Sequence, residues 1–225
     1  MSALDTLERT MVSSPLPHRV VVIGFSMTAQ RFVERLVAPG SDRTVSVIVF
    51  GDEPRRAYNR LRLTSYFVGE DPEALAFQSN DWYTERGVVV HIGSLVVSVD
   101  PISKVVTSAD GITAEYDSLV LACGSSAFVP PGIDGSDTTR GVFVYRTIED
   151  LDRILAHARS GAVKRACVLG GGLLGLEAAD ACRQPVRERR NAQPARSTLQ
   201  DLTHRARPVC ARVCRNQDGA ASDGD

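Results

Sequence analysis

Two short apolar runs, each broken by glycine and followed at once by a helical pattern, constrain this 225-residue chain more than any other feature. The first is Val20-Val21-Val22-Ile23, which stops at Gly24. A continuous run of this kind reads as a strand buried on both faces, as in a parallel sheet. From Thr28 to Val37 the residues Phe32, Val33, Leu36 and Val37 fall on one helical face, and Pro39-Gly40 ends the pattern. Val45 to Phe50 supplies a second buried strand. Strand, glycine turn, helix, strand is a βαβ unit, so the spacing predicts parallel strands covered by helices. The second run, Ala166 to Leu169, meets Gly170-Gly171-Gly172 and then a helix from Leu173 to about Cys182. A second unit of the same kind therefore begins there.

Between the two starts the pattern changes. The segment from Asp52 to Asn80 is irregular, Trp82 to Arg86 reads as a short helix, and Val88 to Ile92 as a strand. Val96–Val99, Lys104–Thr107 and Thr113–Tyr116 read as short strands, with Asp110-Gly111 as a hairpin turn. Ser118 to Ala122 is another apolar strand, running into Cys123-Gly124-Ser125. Pro130-Pro131-Gly132 marks a crossover loop, and Glu149 to Ala158 an amphipathic helix with Leu151, Ile154, Leu155 and Ala158 on its apolar side. From Gln184 onward the chain is rich in Arg, Pro, Ala, Ser and Gln with no sustained apolar period, which predicts a disordered tail.

Composition excludes some roles. With 26 Lys and Arg against 27 Asp and Glu, the formal net charge of -1 argues for neither nucleic acid nor membrane partners. No apolar run is long enough to span a bilayer, and residues 1–17 lack the apolar core of a signal peptide, so a cytoplasmic location is expected. Nothing in the sequence bears on oligomeric state. The five cysteines show no disulfide spacing. Cys123, Cys167 and Cys182 lie in apolar or small-residue segments and are expected to be buried thiols. Cys210 and Cys214 have no partner ligands, and no metal site is expected.

The glycine turns carry the candidate chemistry. Where such a turn binds a dinucleotide, the first glycine makes the tight bend and the second lets backbone approach the pyrophosphate. The third, Gly or Ala, lets helix pack on strand. Gly24, Ser26 and Ala29 hold these positions in the first turn. Ser26 departs from the pattern, since its side chain projects where a phosphate would lie, and an ordinary strand-to-helix turn accounts for the residues equally well. Asp52 and Glu53, at the end of the second strand, stand where an acidic residue would take ribose hydroxyls. They could equally be a solvated pair. The second turn, Gly170, Gly172 and Gly175, has the full spacing, and its helix N-terminus presents N–H groups to an anion. Glu177 lies one turn further on, either facing a nicotinamide ring or solvated.

With both turns in view the chain resembles the flavin-dependent pyridine-nucleotide oxidoreductase superfamily. More narrowly, it is similar to the N-terminal part of assimilatory NAD(P)H-nitrite reductase large subunits. The resemblance is carried by Met27, Arg31-Phe32-Val33-Glu34, Tyr58-Asn59-Arg60, Leu63-Thr64, and Leu119 through Ser125. Phe128-Val129-Pro130-Pro131, Val144 through Asp152 and Gly170 through Ala179 complete it, in family order from His18 to about Arg183. It implies FAD contacts at Gly24, Ser26, Ala29, Asp52 or Glu53, Arg60, Val96 and Gly124, and an NAD(P)H side at Gly170, Gly172, Gly175 and Glu177. It also implies hydride transfer from NAD(P)H to FAD, with electrons passing on towards nitrite. The family has glycine at the positions of Ser26 and Ala29 and threonine at Cys123.

The resulting expectation is an α/β fold. Residues 1–17 are a flexible N-terminus, 18–160 the first part of a Rossmann-like FAD-binding domain with a small antiparallel meander, and 161–183 the start of a second Rossmann-like, NAD(P)-binding domain. Residues 184–225 would be a disordered tail translated out of frame, since the resemblance ends abruptly at Arg183. A chain stopping there would be a truncated, inactive fragment, so enzyme activity is left open. A ferredoxin- or rubredoxin-reductase-like flavoprotein and a non-catalytic, flavin-free Rossmann-like module are the alternatives. A disulfide reductase is disfavoured, because no Cys pair lies between Asp52 and Asn80.

Overall fold

The computed structural model describes residues 16–40, 45–129, 139–160, 163 and 165–183. The crossover at Pro130–Gly132, the tail after Arg183 and the pair Cys210 and Cys214 lie outside the described residues. The chain divides into two compact units, Met1–Asn59 with Ala76–Ser126, and Arg60–Leu75 with Ala127–Asp225.

The first unit is built on β1 (His18–Ile23), α1 (Met27–Leu36) and β2 (Val45–Phe50). Four parallel strands form its main sheet in the order β3-β2-β1-β7, where β3 is Val88–His91 and β7 is Ser118–Leu121. Alternation along β1 explains its continuous apolar run. Val20 and Val22 pack with Ala29 and Val33 of α1, and with Tyr83 of α3 (Asn80–Glu85 in this sequence order). Val21 and Ile23 face the other way, onto Phe50, Val106, Ala114 and Tyr116. A strand covered on both faces has no polar side to alternate. The buried face of α1 is Ala29, Gln30 and Val33, while Phe32, expected inside, is exposed.

The second face is covered by an antiparallel sheet, β4-β5-β6, of Val96–Asp100, Val105–Ser108 and Thr113–Glu115. Its register shifts between Val96 and Ser98, and Gly111 takes the positive φ of 85° that the turn at Asp110-Gly111 requires. Parallel sheet, helices and antiparallel sheet together are the Rossmann-like α/β arrangement expected from the sequence.

The second unit contains short 3-10 turns at Arg60–Arg62 and Pro72–Leu75 around α2 (Leu63–Phe67), then α4 (Ile148–Arg159) and α5 (Leu173–Arg183). The α2 segment packs against α4 and α5. A capping box starts α4: Thr147 Oγ1 accepts from the Asp150 N–H, and the Asp150 carboxylate accepts from the Thr147 N–H. Ile148, Leu151 and Leu155 form its buried stripe.

Two further readings are corrected. Ala166–Leu169 was expected as a strand, but residues 165–171 carry no strand or helix. A parallel strand exists only through hydrogen bonds to a neighbour, and the described residues of this unit include no strand to pair with it. Cys123, Cys167 and Cys182 are exposed rather than buried. Cys123 sits just past β7 where the chain leaves the sheet, Cys167 in the unpaired segment, and Cys182 in the last turn of α5. No helix among the described residues is long and apolar enough to cross a membrane.

Candidate functional site

In the first unit the geometry starts from strand register. Ile23 is level with Phe50 on one side and with Leu121 on the other, so the ends of β1, β2 and β7 share one edge of the sheet. The crevice outside the carboxyl ends of such strands is where open α/β sheets bind ligands. Gly24 donates its N–H to Phe50 O at 2.8 Å, and Ala122 donates to Ile23 O at 2.7 Å. A Cβ on Gly24 would lie 2.3 Å from the Ala122 carbonyl oxygen, and the residue has φ +100°. Only glycine satisfies both conditions. Gly124 also has positive φ, +73°, so two turns of bare backbone stand side by side at this edge.

Ser26 has φ -88° and ψ 176°, an ordinary extended backbone, so the position does not need glycine for its conformation. The hydroxyl is committed locally. Oγ accepts from Ala29 N–H at 3.4 Å and donates to Ala122 O at 3.3 Å. It is the N-cap of α1, and therefore holds one of the amide donors that a helix start would otherwise offer an anion. Ala29 is fully buried and lets α1 lie close on the sheet, the task of the third small residue. The sequence reading missed Gly51, directly after β2, where a Cβ would meet Phe25 Cβ at 2.8 Å. Its place immediately after an apolar strand was the available signal.

At the end of β2, Asp52 is exposed and Glu53 half-buried. The Tyr58 hydroxyl donates to Glu53 Oε2 at 2.7 Å, and Gly93 N–H donates to Glu53 O at 2.8 Å. Ser94 N–H donates to Gly51 O at 2.7 Å, which draws the turn leading into Val96 to the same strand end. Gly24, Ser26, Asp52, Glu53 and Gly124 are thus brought to one edge, with half-buried Val96 entering β4 beside them. The bare backbone at Gly24 and Gly124 and a carboxylate fixed at the end of β2 fit an FAD pyrophosphate and ribose, while the Ser26 hydroxyl already occupies the Ala29 amide at the helix start.

Arg60 belongs to the second unit, where its guanidinium donates to Arg146 O at 3.4 Å. In the same unit Gly170 has φ +129°. A Cβ on Gly175 would lie 2.1 Å from Gly170 O, whereas Gly170 and Gly172 have open space. Gly175 is thus required by the approach of helix to turn, and Gly170 by backbone conformation, which leaves Gly172 as bare backbone open to a ligand. These positions fit the pyrophosphate of NAD(P)H at the start of α5.

Glu177 is not simply solvated. Thr64 Oγ1 donates to Glu177 Oε2 at 3.0 Å, and the Tyr145 hydroxyl donates to Thr64 Oγ1 at 3.3 Å. Burial pushes the Tyr145 phenol up to about 12, and the charge of Glu177 adds to this. Thr64 and Tyr145 were legible as carriers of the resemblance but not as site residues. Among the described residues no group of three or more His, Cys, Asp or Glu is placed to hold a metal.

The family model for pyridine nucleotide-disulphide oxidoreductases matches residues 18–218. The chain is 41% identical over 165 residues to the nitrite reductase [NAD(P)H] large subunit of Klebsiella oxytoca, covering 73% of this chain and 17% of that protein. It is 43% identical over 163 residues to the nitrite reductase (NADH) large subunit of Escherichia coli (strain K12), covering 72% of this chain and 19% of that protein. It spans about a fifth of the length of these curated relatives. Among solved structures, the covalent putidaredoxin reductase–putidaredoxin complex superposes with a TM-score of 0.63 at 27% identity, covering 73% of this chain and 39% of that one.

Proposed function

We propose, since the chain belongs to the pyridine nucleotide-disulphide oxidoreductase family, that it is the FAD- and NAD(P)H-binding oxidoreductase module of a nitrite reductase large subunit. The observation that carries the flavin site is the close approach of Gly24 to the Ala122 carbonyl beside the turn at Gly124. Side-chain-free backbone at two adjacent strand ends is what a pyrophosphate needs in order to reach amide N–H groups. Identity above 40% to two nitrite reductase large subunits supports the electron destination.

In this reading Gly24 and Gly124 hold the FAD pyrophosphate, and α1 turns its N-terminal amides towards it. Glu53, steadied by Tyr58, accepts from the ribose hydroxyls, Asp52 being the neighbouring carboxylate, and Val96 meets the adenine through its backbone. Ala29 keeps α1 close to the sheet. Arg60 is an FAD-side residue by resemblance alone. Gly170, Gly172 and Gly175 seat the pyrophosphate of NAD(P)H, and Glu177 lies on its nicotinamide side. FAD, when bound, supplies the acceptor for the hydride of NAD(P)H.

Titration of FAD into the purified chain, followed by quenching of flavin fluorescence, tests the reading. Saturable binding and a yellow chain after gel filtration are expected. A colourless chain that leaves the fluorescence unchanged overturns it and favours the flavin-free module, for which the Ser26 cap is the specific argument.

A further inference from the structure

In the second unit a chain of three side chains ends on a candidate site residue. The Tyr145 hydroxyl donates to Thr64 Oγ1, and Thr64 Oγ1 donates to Glu177 Oε2. A hydroxyl can accept and donate at once, so the chain runs one way, from phenol to carboxylate. Its members come from α2, from the segment before α4, and from α5. Tyr145 is half-buried, and its ring packs against Phe67 with centroids 5.9 Å apart. The Asp150 carboxylate accepts from the neighbouring Arg146 and Thr147 N–H groups and so fixes the backbone next to Tyr145.

We propose that Thr64, backed by Tyr145, is a positioning residue for NAD(P)H: the two hydroxyls hold the Glu177 carboxylate in one orientation behind the Gly170–Gly175 turn, so that its other oxygen accepts from the carboxamide N–H of the nicotinamide. The inference rests on reading that turn as the NAD(P)H site. A glutamate on an exposed helix samples several rotamers and must lose that freedom when it binds a ligand. The Thr64 bond removes the freedom beforehand. Among the described residues Glu177 has no cationic partner, and its hydroxyl donor leaves the carboxylate charge intact for the ligand. Burial raises the Tyr145 phenol, the Thr64 hydrogen bond offsets part of that rise and the Glu177 charge adds to it, so the phenol stays a donor at neutral pH.

The test uses the full 225-residue chain and NADH and NADPH themselves, with binding read from nucleotide fluorescence. Thr64→Val keeps the side-chain shape, removes the donor and should weaken binding about tenfold, the scale of a lost hydrogen bond to a charged group. Thr64→Ser should restore the wild-type affinity, a rescue that a role in packing alone would not give. Tyr145→Phe should have a smaller effect in the same direction, and Thr64→Val should add nothing in a Glu177→Ala background. The relay also predicts that Glu177→Gln lowers the phenol titration of Tyr145 from about 12, read as phenolate absorbance after subtraction of the Tyr145→Phe spectrum. Wild-type chain that binds neither nucleotide overturns the functional reading itself. Wild-type binding that Thr64→Val leaves unchanged, failed rescue by Thr64→Ser, or an unchanged phenol titration overturns the relay alone.

Discussion

Gly24 and Ala122 approach so closely that a methyl group on Gly24 would sit 2.3 Å from the Ala122 carbonyl oxygen. The contact joins the turn after β1 to the end of β7, its parallel neighbour. Gly24→Ala must therefore push two strand ends apart and also place a side chain at φ +100°. Positive φ costs about 1–2 kcal/mol for a residue with a Cβ, and overpacking adds about 1–3 kcal/mol. We expect the urea midpoint to fall accordingly and FAD binding to be lost. A variant with wild-type midpoint and flavin affinity would show that the turn relaxes freely and is no cradle.

Ser26 poses the opposite question, because its hydroxyl occupies the Ala29 N–H. Ser26→Gly removes the cap at a cost of only a few tenths of a kcal/mol, whereas Ser26→Ala costs about 1 kcal/mol. Glycine also frees the amide and clears the side chain. FAD should bind more tightly to Ser26→Gly than to wild type, by about threefold to tenfold if one amide hydrogen bond is gained. Flavin titration of the three proteins checks this, and equal affinity would mean that the hydroxyl does not compete with the phosphate.

β1 and β2 were legible to the residue because burial on both faces leaves an unmistakable apolar run, as at Val45–Phe50. Helix α2 was not, since the five residues Leu63–Phe67 complete barely more than one turn and show no period. Ala166–Leu169 failed for another reason: local sequence can favour an extended chain, but a strand needs a partner. Thr64 and Tyr145 were invisible as neighbours of Glu177 because Thr64 is 113 positions from Glu177 and 81 from Tyr145. No local pattern encodes such a meeting. The bend at Gly24 could be read because glycine itself marks it, while its partner Ala122 could not.

Acid should weaken the first unit through Arg19. Its guanidinium donates to Asp117 at 3.0 Å and also pairs with Glu115, joining β1 to the chain around β6 and β7. The hydrogen bonds from Arg19 lower the Asp117 carboxyl from 3.8 to about 2. A lowered folded-state value means that the unfolded chain takes up the proton first. The contribution is therefore fully present above pH 3.8 and is lost as the pH falls towards 2. Arg19→Gln should flatten this part of the pH–stability curve by lowering its upper plateau towards the acid value, and the drop should be small because the pair is solvent-exposed. Urea midpoints across the window measure it, and parallel curves for the two proteins would show that the pair contributes nothing.

Beneath α1, Gln30 is 1% exposed, and its Oε1 accepts from the Tyr83 hydroxyl at 2.5 Å. The amide Nε2 of Gln30 donates to Glu34 Oε1, which also accepts from Gln78 Nε2. Tyr83→Phe keeps the ring, including its edge contact with Phe25 at 5.7 Å, but leaves the Gln30 oxygen buried without that donor. The cost should be about 1–3 kcal/mol, the desolvation penalty of an unmatched buried polar group. Gln30→Met strands the phenol hydroxyl instead and also deprives Glu34 of a donor, so it should cost at least as much. Combining the two removes both halves of the Tyr83–Gln30 bond at once. The double variant should then be less destabilised than the sum of the singles, by about 1 kcal/mol or more for groups in direct contact. Chemical denaturation of the four proteins closes the cycle. Strict additivity would mean that the two polar groups find separate partners, and that this bond does not hold α3 against the helix behind the glycine turn.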